Sequence, residues 1–144
     1  MKRLTWLALV LFWVGNANAQ SDQMIANPTD LNQAVKEMSD LYRLDPIQTE
    51  RMLVIQRRRL EQINSVEHLR NENFEQYLRK RRSIRRGAEG AIRKMLTPEQ
   101  VPVFNRQLAD RRHLESDLIK KMKNQGASRE MIELEVLKLE DTKS

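Results

Sequence analysis

The scarcity of helix-breaking residues restricts the fold of this chain more than any other feature. Glycine occurs only at positions 15, 87, 90 and 126, and proline only at positions 28, 46, 98 and 102, in a sequence of 144 residues. Arginine, lysine, glutamate, glutamine and leucine dominate the remainder, and all of them favour helices. The sequence therefore predicts an all-α fold of four to five helices, arranged as elongated helical hairpins.

Residues 1–19 have the pattern of a cleavable secretory signal peptide. Lys2 and Arg3 form a short basic start, an apolar run follows over residues 4–14, and Ala17-Asn18-Ala19 provides the small residues that signal peptidase requires. The apolar run is too short for a stable membrane anchor. We therefore predict export, with cleavage after Ala19.

The absence of cysteine limits the compartments in which an exported chain of this kind would function. The chain contains no cysteine, which excludes a disulfide framework and a lipid anchor on cysteine, so a helical core must stabilise the exported protein alone. This favours the periplasm. We predict a disordered polar leader over residues 20–28 and a single helical domain over residues 29–144, with a C-terminal helix or tail from about residue 128. A core this poor in aromatic residues also predicts a homodimer that covers further apolar faces.

Two copies of one helix-start signal divide the domain. Asp45-Pro46-Ile47-Gln48 provides a capping carboxylate, a proline at the first helical position and a glutamine at the third, which together form a capping box. Leu96-Thr97-Pro98-Glu99-Gln100 repeats this arrangement with a threonine as the capping residue. Two similar helical hairpins are therefore predicted.

Apolar residues at three- and four-residue spacing predict the other helices. A first helix should run from a cap at Thr29 to Tyr42, and a third from Phe74 to Leu96, either separate from the second helix or continuous with it. A fourth helix should end at Gly126, which can adopt a positive φ.

Three features leave alternatives open. Pro102 lies inside the fourth helix, so we expect a kink or a restart near Val103. Gly87 and Gly90 mark a bend, allow another helix to approach closely, or lie on an exposed face. Residues 128–140 fit both strand and helix periodicity, and we predict a helix because no strand partner occurs elsewhere.

Basic residues form two clusters. The nine residues are Arg57, Arg58, Arg59, Arg79, Lys80, Arg81, Arg82, Arg85 and Arg86. Because the chain is predicted to be exported, we expect no nucleic acid partner but acidic or unfolded polypeptides or anionic lipid head groups, which a basic surface attracts. The competing interpretation is a solvated face neutralised by local ion pairs such as Glu75–Arg79 and Glu89–Arg93.

No motif indicates catalysis or metal binding. His68 and His113 each lack a second histidine three or four residues away, and the chain has no Gly-x-Ser-x-Gly motif, no phosphate-binding glycine loop and no cysteine nucleophile. We therefore predict that the protein is not an enzyme and has no metal site and no cofactor.

The second helix-start signal carries a family resemblance. Leu96 to Gln100, followed by Phe104 and Asn105, resembles the Leu-Thr-x-x-Gln motif of the Spy and CpxP group of periplasmic proteins, and Leu41 to Gln48 looks like the first copy. The resemblance implies a dimer of helical hairpins that forms a thin curved cradle. It also implies structural roles for the motif residues, which are Leu44, Asp45, Pro46, Gln48, Leu96, Thr97, Pro98 and Gln100.

The resemblance implies function as well as fold. We expect a periplasmic binding protein of envelope stress or protein quality control that holds unfolded clients on a basic helical face without ATP. The nine clustered basic residues are the candidates for that face. One alternative is a regulatory inhibitor or sensor protein that binds an envelope stress sensor, and another is a protein that binds the anionic membrane surface.

Overall fold

The fold is built from six helices within the part of the chain that the structure describes. The structure is a computed structural model that describes the backbone of residues 28–142 and the side chains of residues 31–139. The helices are α1 (Pro28–Tyr42), α2 (Pro46–Val66), α3 (Leu69–Glu72), α4 (Phe74–Met95), α5 (Val101–Asn124) and α6 (Arg129–Thr142). The predicted all-α class is confirmed. The predicted signal peptide lies outside the described residues, as does the predicted leader except for its last residue, Pro28, where α1 begins.

The number of helices exceeds the predicted four to five because the connection between α2 and α4 contains a helix of its own. α2 ends at Val66, the single turn α3 follows, and Asn73 then interrupts the helical path with φ −154°. The Asn73 side chain caps α4 by accepting a hydrogen bond from the Gln76 backbone N–H at 3.0 Å. α4 is therefore separate from α2, and its observed range agrees with the predicted Phe74 start.

Helix α2 is the centre of the packing, with contacts to both α1 and α4. α5 contacts α1 and α6, and the largest apolar cluster lies where α1, α2, α4 and α5 meet. The buried members of this cluster are Val35, Met38, Tyr42, Met52, Ile92, Leu96 and Phe104. A smaller cluster joins α4 to α6, and its buried members are Tyr77, Leu78 and Leu137.

At the C-terminal end of α1, Tyr42 rather than Leu41 lies on the buried face of the helix. Leu41 is 47% exposed, whereas Tyr42 is buried and contacts Phe104 edge to face. The helix closes with Arg43 in the left-handed region at φ 53°, and the Leu44 N–H donates to the Ser39 carbonyl at 2.9 Å. This is the Schellman arrangement, with arginine at the position that usually holds glycine.

The second helix-start signal differs from the first. Residues 98–100 form a turn, and α5 begins only at Val101. A hydrogen bond from the Thr97 side chain lowers the pKa of the exposed Glu99 carboxyl, and no side chain among residues 31–139 caps the start of α5. Because of the later start, Pro102 falls in the first turn of α5, where proline is tolerated. α5 thus starts at Val101, two residues before the restart predicted near Val103.

The chain closes α5 and opens α6 as the sequence predicts. Gly126 has φ 72°, and the Ala127 N–H donates to the Met122 carbonyl at 3.0 Å, which completes a Schellman motif. The Ser128 hydroxyl then accepts the Met131 N–H at 3.2 Å as α6 begins. The residues with mixed periodicity are thus helical.

Candidate functional site

The two motif glutamines bind each other. Gln48 Nε2 donates to Gln100 Oε1 at 2.9 Å, and Gln100 Nε2 donates to Gln48 Oε1 at 3.0 Å. Gln48 also accepts the Asp45 N–H at 3.1 Å, while Gln100 accepts the Thr97 N–H at 2.9 Å. The reciprocal pair therefore ties the two helix-start signals together across 52 residues of sequence.

Each amide also donates to a backbone carbonyl at the end of the helix that precedes the other glutamine. Gln48 Nε2 donates to the Met95 carbonyl at 2.9 Å, and Gln100 Nε2 donates to the Arg43 carbonyl at 3.1 Å. The two sets of partners are equivalent, because Met95 precedes Gln100 by the same number of residues as Arg43 precedes Gln48. Both N–H groups and both acceptor positions of each amide are used, so the pair is saturated.

The rest of the first motif has the predicted cap geometry. The Gln48 N–H donates to Asp45 Oδ1 at 2.7 Å, so the capping box is complete, with Pro46 in the first turn of α2. Leu44 packs at the edge of the main apolar cluster, and its counterpart Leu96 is buried within it. This saturated, half-enclosed arrangement stabilises the junction of the hairpins, which is a structural role.

The nine candidate basic residues do not share one surface. Arg59 is 8% exposed and Arg81 is 5% exposed, so both are buried, and Arg85 is half-buried. The outward-facing members are Arg57, Arg58, Arg79, Lys80, Arg82 and Arg86. The sequence clusters therefore divide into an inner and an outer set.

Arg81 belongs to a network inside the smaller cluster. Its guanidinium lies 5.8 Å from the Tyr77 ring centre and donates to the Tyr77 hydroxyl at 3.3 Å. That hydroxyl donates to Glu67 Oε2 at 3.0 Å. Burial raises the pKa of Tyr77, and Arg81 opposes the rise. Arg81 is thus connected through the Tyr77 hydroxyl to Glu67, and this network joins α4 to the end of α2.

The other inner residues line a cavity of about 40 Å³ between α1, α2, α4 and α5. Arg59 and Arg85 face it together with Glu89 and Arg111. Arg111 forms an ion pair with Glu89, and Arg85 Nη1 lies 3.2 Å from Glu115 Oε1. The cavity is large enough for a water molecule, and its walls combine these charged groups with apolar side chains of the main cluster. Three of the four charged residues that line the cavity are arginines, and Arg85 and Arg111 are held there by carboxylates of α4 and α5.

Tyr42 also lines this cavity. Burial raises the pKa of its hydroxyl from 10.0 to about 12, and the nearby positive charge of Arg111 limits the rise. Arg111 escaped sequence reasoning because it stands outside both basic clusters. One signal could have found it: Arg111 follows Gln100 at the same distance as Arg59 follows Gln48.

The local ion pairs expected on α4 are absent from the described part of the chain. Glu75 instead pairs with Arg129 of α6 at 3.0 Å, and Glu89 pairs with Arg111 of α5. Arg79 and Arg93 are exposed and form no ion pair within residues 31–139. The prediction of Glu75–Arg79 and Glu89–Arg93 pairs is wrong because the carboxylates bind arginines of other helices.

These changes leave an unneutralised basic surface on the outside of α4. We call it the α4 strip. Its exposed residues, none of which forms an ion pair among the described side chains, are Arg79, Lys80, Arg86, Arg93 and Lys94. Gly87 and Gly90 lie between them, exposed and with no atom within 4 Å of a built Cβ. Another helix does not approach these glycines, so the exposed-face interpretation fits the described chain.

The neighbouring helix α2 presents apolar residues between arginines. Ile47 is 64% exposed and Val54 is 58% exposed, and they alternate with the exposed Arg51 and Arg58 at four- and three-residue steps. Residues at this spacing share one helix face. We call this face the α2 stripe.

Comparisons with protein-family models, curated proteins and solved structures gave no match to this chain. The resemblance to the Spy and CpxP group therefore stays a prediction from the two motifs. Within residues 28–142 no cluster of three or more histidine, cysteine or acidic residues could hold a metal ion. No helix in that range is long and apolar enough to span a membrane.

Proposed function

We propose that this chain is an exported binding protein of envelope protein quality control, which captures unfolded or partly folded acidic polypeptides without ATP. Such a protein, a holdase, keeps its clients from aggregating by reversible binding. The α4 strip makes the first contact, and the apolar residues of the α2 stripe supply additional contact area. The proposed compartment is the periplasm, in agreement with the resemblance to the Spy and CpxP group.

The proposal rests on one observation: the two carboxylates of α4 pair with arginines of other helices and not with the basic residues of α4. α4 has eight basic and two acidic residues, and both acids are engaged by arginines of other helices. The five residues of the α4 strip consequently lack counter-charges among the described side chains. A surface of one sign attracts oppositely charged chains and accelerates their encounter.

The mechanism requires two kinds of contact. Exposed arginine and lysine capture an acidic segment quickly but weakly, because water and salt screen such pairs. Ile47 and Val54 then offer apolar area to the exposed side chains of an unfolded client, and burial of that area lengthens the contact. Binding through many weak contacts tolerates different client sequences.

A homodimer is part of the same proposal. Large apolar side chains remain 38–64% exposed, and they are Leu41, Ile47, Val54, Val103, Leu114 and Met131. Association of two copies would bury some of this area. Sedimentation equilibrium measures the mass directly, and a monomer mass at every concentration contradicts this element of the proposal.

The test is suppression of client aggregation. An acidic protein is diluted from denaturant with and without an equimolar amount of the mature chain, and light scattering is recorded at low and high salt. We expect the mature chain to reduce scattering, and salt to weaken the effect. The triple variant Arg79→Gln, Arg86→Gln and Arg93→Gln removes three charges from the α4 strip and should lose most of the suppression.

A matched control distinguishes position from net charge. Lys36→Gln, Arg106→Gln and Lys120→Gln remove the same charge from exposed sites on α1 and α5, and this triple variant should retain suppression. Equal loss in both triple variants would show that total charge is responsible and would refute the role of the α4 strip. No suppression by the unmodified chain would refute the holdase function itself.

A further inference from the structure

The acidic helix α6 occupies the region next to the α4 strip. α6 has five acidic and two basic residues, whereas α4 has eight basic and two acidic residues, so the two helices are complementary in charge. Glu133 accepts a hydrogen bond from Arg82 Nη2 at 2.8 Å, and Arg129 pairs with Glu75 at 3.0 Å. Arg82 is thereby the one outward member of the 79–86 cluster that has an ion pair within the described residues.

One apolar residue anchors α6 beside these pairs. Leu137 is 7% exposed and packs in the smaller cluster with Tyr77 and Leu78. Glu133 and Leu137 are four residues apart, so they share one face of α6. The seat of α6 thus consists of an arginine beside an apolar patch, and it accepts a helix that carries a carboxylate one turn before an apolar residue.

The attachment of α6 is slight compared with that of α1, α2 and α4. The two ion pairs that the described side chains of α6 make with α4 lie near the surface, because Arg129 and Glu75 have side chains 70% and 55% exposed and Arg82 is 46% exposed. Met131 is 50% exposed on the same helix. Elements held by few buried contacts and by screened charges open first.

We propose that α6 is a replaceable occupant of this seat, and that the partner which displaces it is an acidic amphipathic helix of another polypeptide. This inference rests on the proposed binding role of α4 and adds both a partner chemistry and a means of regulation. While α6 is docked, Glu133 neutralises Arg82. When α6 is displaced, Arg82 adds to the α4 strip and the patch formed by Tyr77 and Leu78 becomes accessible.

The test uses the full chain and a peptide in trans. The probe is a fluorescent synthetic peptide with the sequence of residues 128–142, and binding is followed by anisotropy. Leu137→Ala and Glu133→Lys weaken the docking of the chain's own α6 but leave the seat intact. Both variants should bind the peptide about tenfold more tightly than the unmodified chain, because the fraction with an open seat rises.

Two controls make the result specific. Glu135→Lys makes the same charge change as Glu133→Lys, but Glu135 pairs with Lys138 inside α6, so this variant should bind the peptide like the unmodified chain. A peptide of the same composition in scrambled order should bind weakly to all the proteins. Equal peptide affinity in all four proteins, or equal binding of the scrambled peptide, would overturn the inference.

A second measurement uses the unmodified chain and does not depend on the folding of any variant. Excess peptide should increase amide hydrogen exchange in α6 while exchange in α2 stays unchanged, and no increase in α6 contradicts displacement. The two proposals fail separately. Aggregation suppression with equal peptide affinities refutes the replaceable α6 alone, whereas tighter peptide binding without any suppression refutes the holdase function alone.

Discussion

Replacement of the paired glutamines tests how the two hairpins are joined. Gln48→Ala removes a side chain that is 6% exposed and leaves the Met95 carbonyl, the Asp45 N–H and half of the Gln100 amide without their partner. A buried polar group that loses its partner costs about 1–3 kcal/mol. Because water can reach part of this site, we expect a total loss near the cost of one or two such groups, about 3 kcal/mol.

Gln100→Ala should cost less, about 2 kcal/mol, because Gln100 is half-exposed and water can replace some of its bonds. Each single variant already loses both mutual hydrogen bonds, and the double variant loses them only once. The sum of the two single losses should therefore exceed the loss in the double variant by about 1–2 kcal/mol. Urea unfolding followed by circular dichroism measures these free energies. Gln62→Ala on the exposed face of α2 is the control and should change stability by less than about 0.5 kcal/mol.

Additive losses in Gln48→Ala and Gln100→Ala would refute this reasoning. They would mean that the two amides stabilise the fold independently and that the motif is a pair of unconnected helix caps. A coupling energy of the expected size would instead identify the glutamine pair as the joint between the hairpins. The same joint explains why both signals end in glutamine, since a shorter side chain could not reach both its own cap and the other hairpin.

Four further substitutions have defined outcomes. Arg43→Gly should stabilise the fold by about 0.5–1 kcal/mol, because Arg43 has φ 53° and glycine adopts this conformation without strain; a loss of stability in urea unfolding contradicts this. Tyr42→Phe tests the pH dependence of stability. Burial raises the Tyr42 pKa from 10.0 to about 12, so the fold favours the neutral hydroxyl, and the stability of the unmodified chain should fall as pH rises from about 10 to 12. Titration of the unfolding free energy should show a smaller fall in Tyr42→Phe, by about 2 kcal/mol, and identical profiles contradict the assignment. Gly87→Ala and Gly90→Ala should each raise stability by about 1 kcal/mol, because both glycines lie inside a helix with open space around the Cβ position; thermal unfolding at an unchanged or lower midpoint refutes this.

Local sequence signals predicted the helix boundaries where the necessary groups are neighbours in the chain. Asp45 and Gln48 satisfy each other's backbone within one turn, and Gly126 reverses the chain after α5, so both could be read from a few residues. The start of α5 could not be read in the same way, because residues 98–100 form a turn and none of the described side chains caps the helix that begins at Val101. Because α5 starts about one turn later than the motif predicts, Pro102 lies in its first turn and does not interrupt the helix.

Tertiary partners limited the prediction of the candidate site. A hydrophobic pattern assigns glutamine and arginine to the surface, yet Gln56 is 4% exposed and Arg59 is 8% exposed on the buried face of α2. There the Gln56 amide donates to the Met38 sulfur at 3.3 Å and to the Met52 sulfur at 3.9 Å. The spacing of Glu89 and Arg93 predicted a local ion pair, but the better partner of Glu89 belongs to another helix. Sequence spacing cannot rank a near neighbour against a distant one.

The basic residues of this chain differ in their surroundings. Inner arginines lie between helices: Arg59 is 8% exposed and lines the cavity, and Arg81 contacts the Tyr77 ring and hydroxyl. The α4 strip, in contrast, contributes little to stability, since none of its residues makes an ion pair within residues 31–139. Charge that the fold does not use is available for a partner.

Site-specific crosslinking measures whether clients bind at the α4 strip. The chain has no cysteine, so a single Ser83→Cys substitution, exposed on α4 between Arg79 and Arg86, can carry a photoreactive label on the α4 strip. Gln33→Cys, exposed on α1, is the matched control position. With an unfolded acidic client at low salt, the label at position 83 should give several times more crosslinked client than the label at position 33. Equal yields from the two positions would contradict the proposal that the α4 strip captures clients.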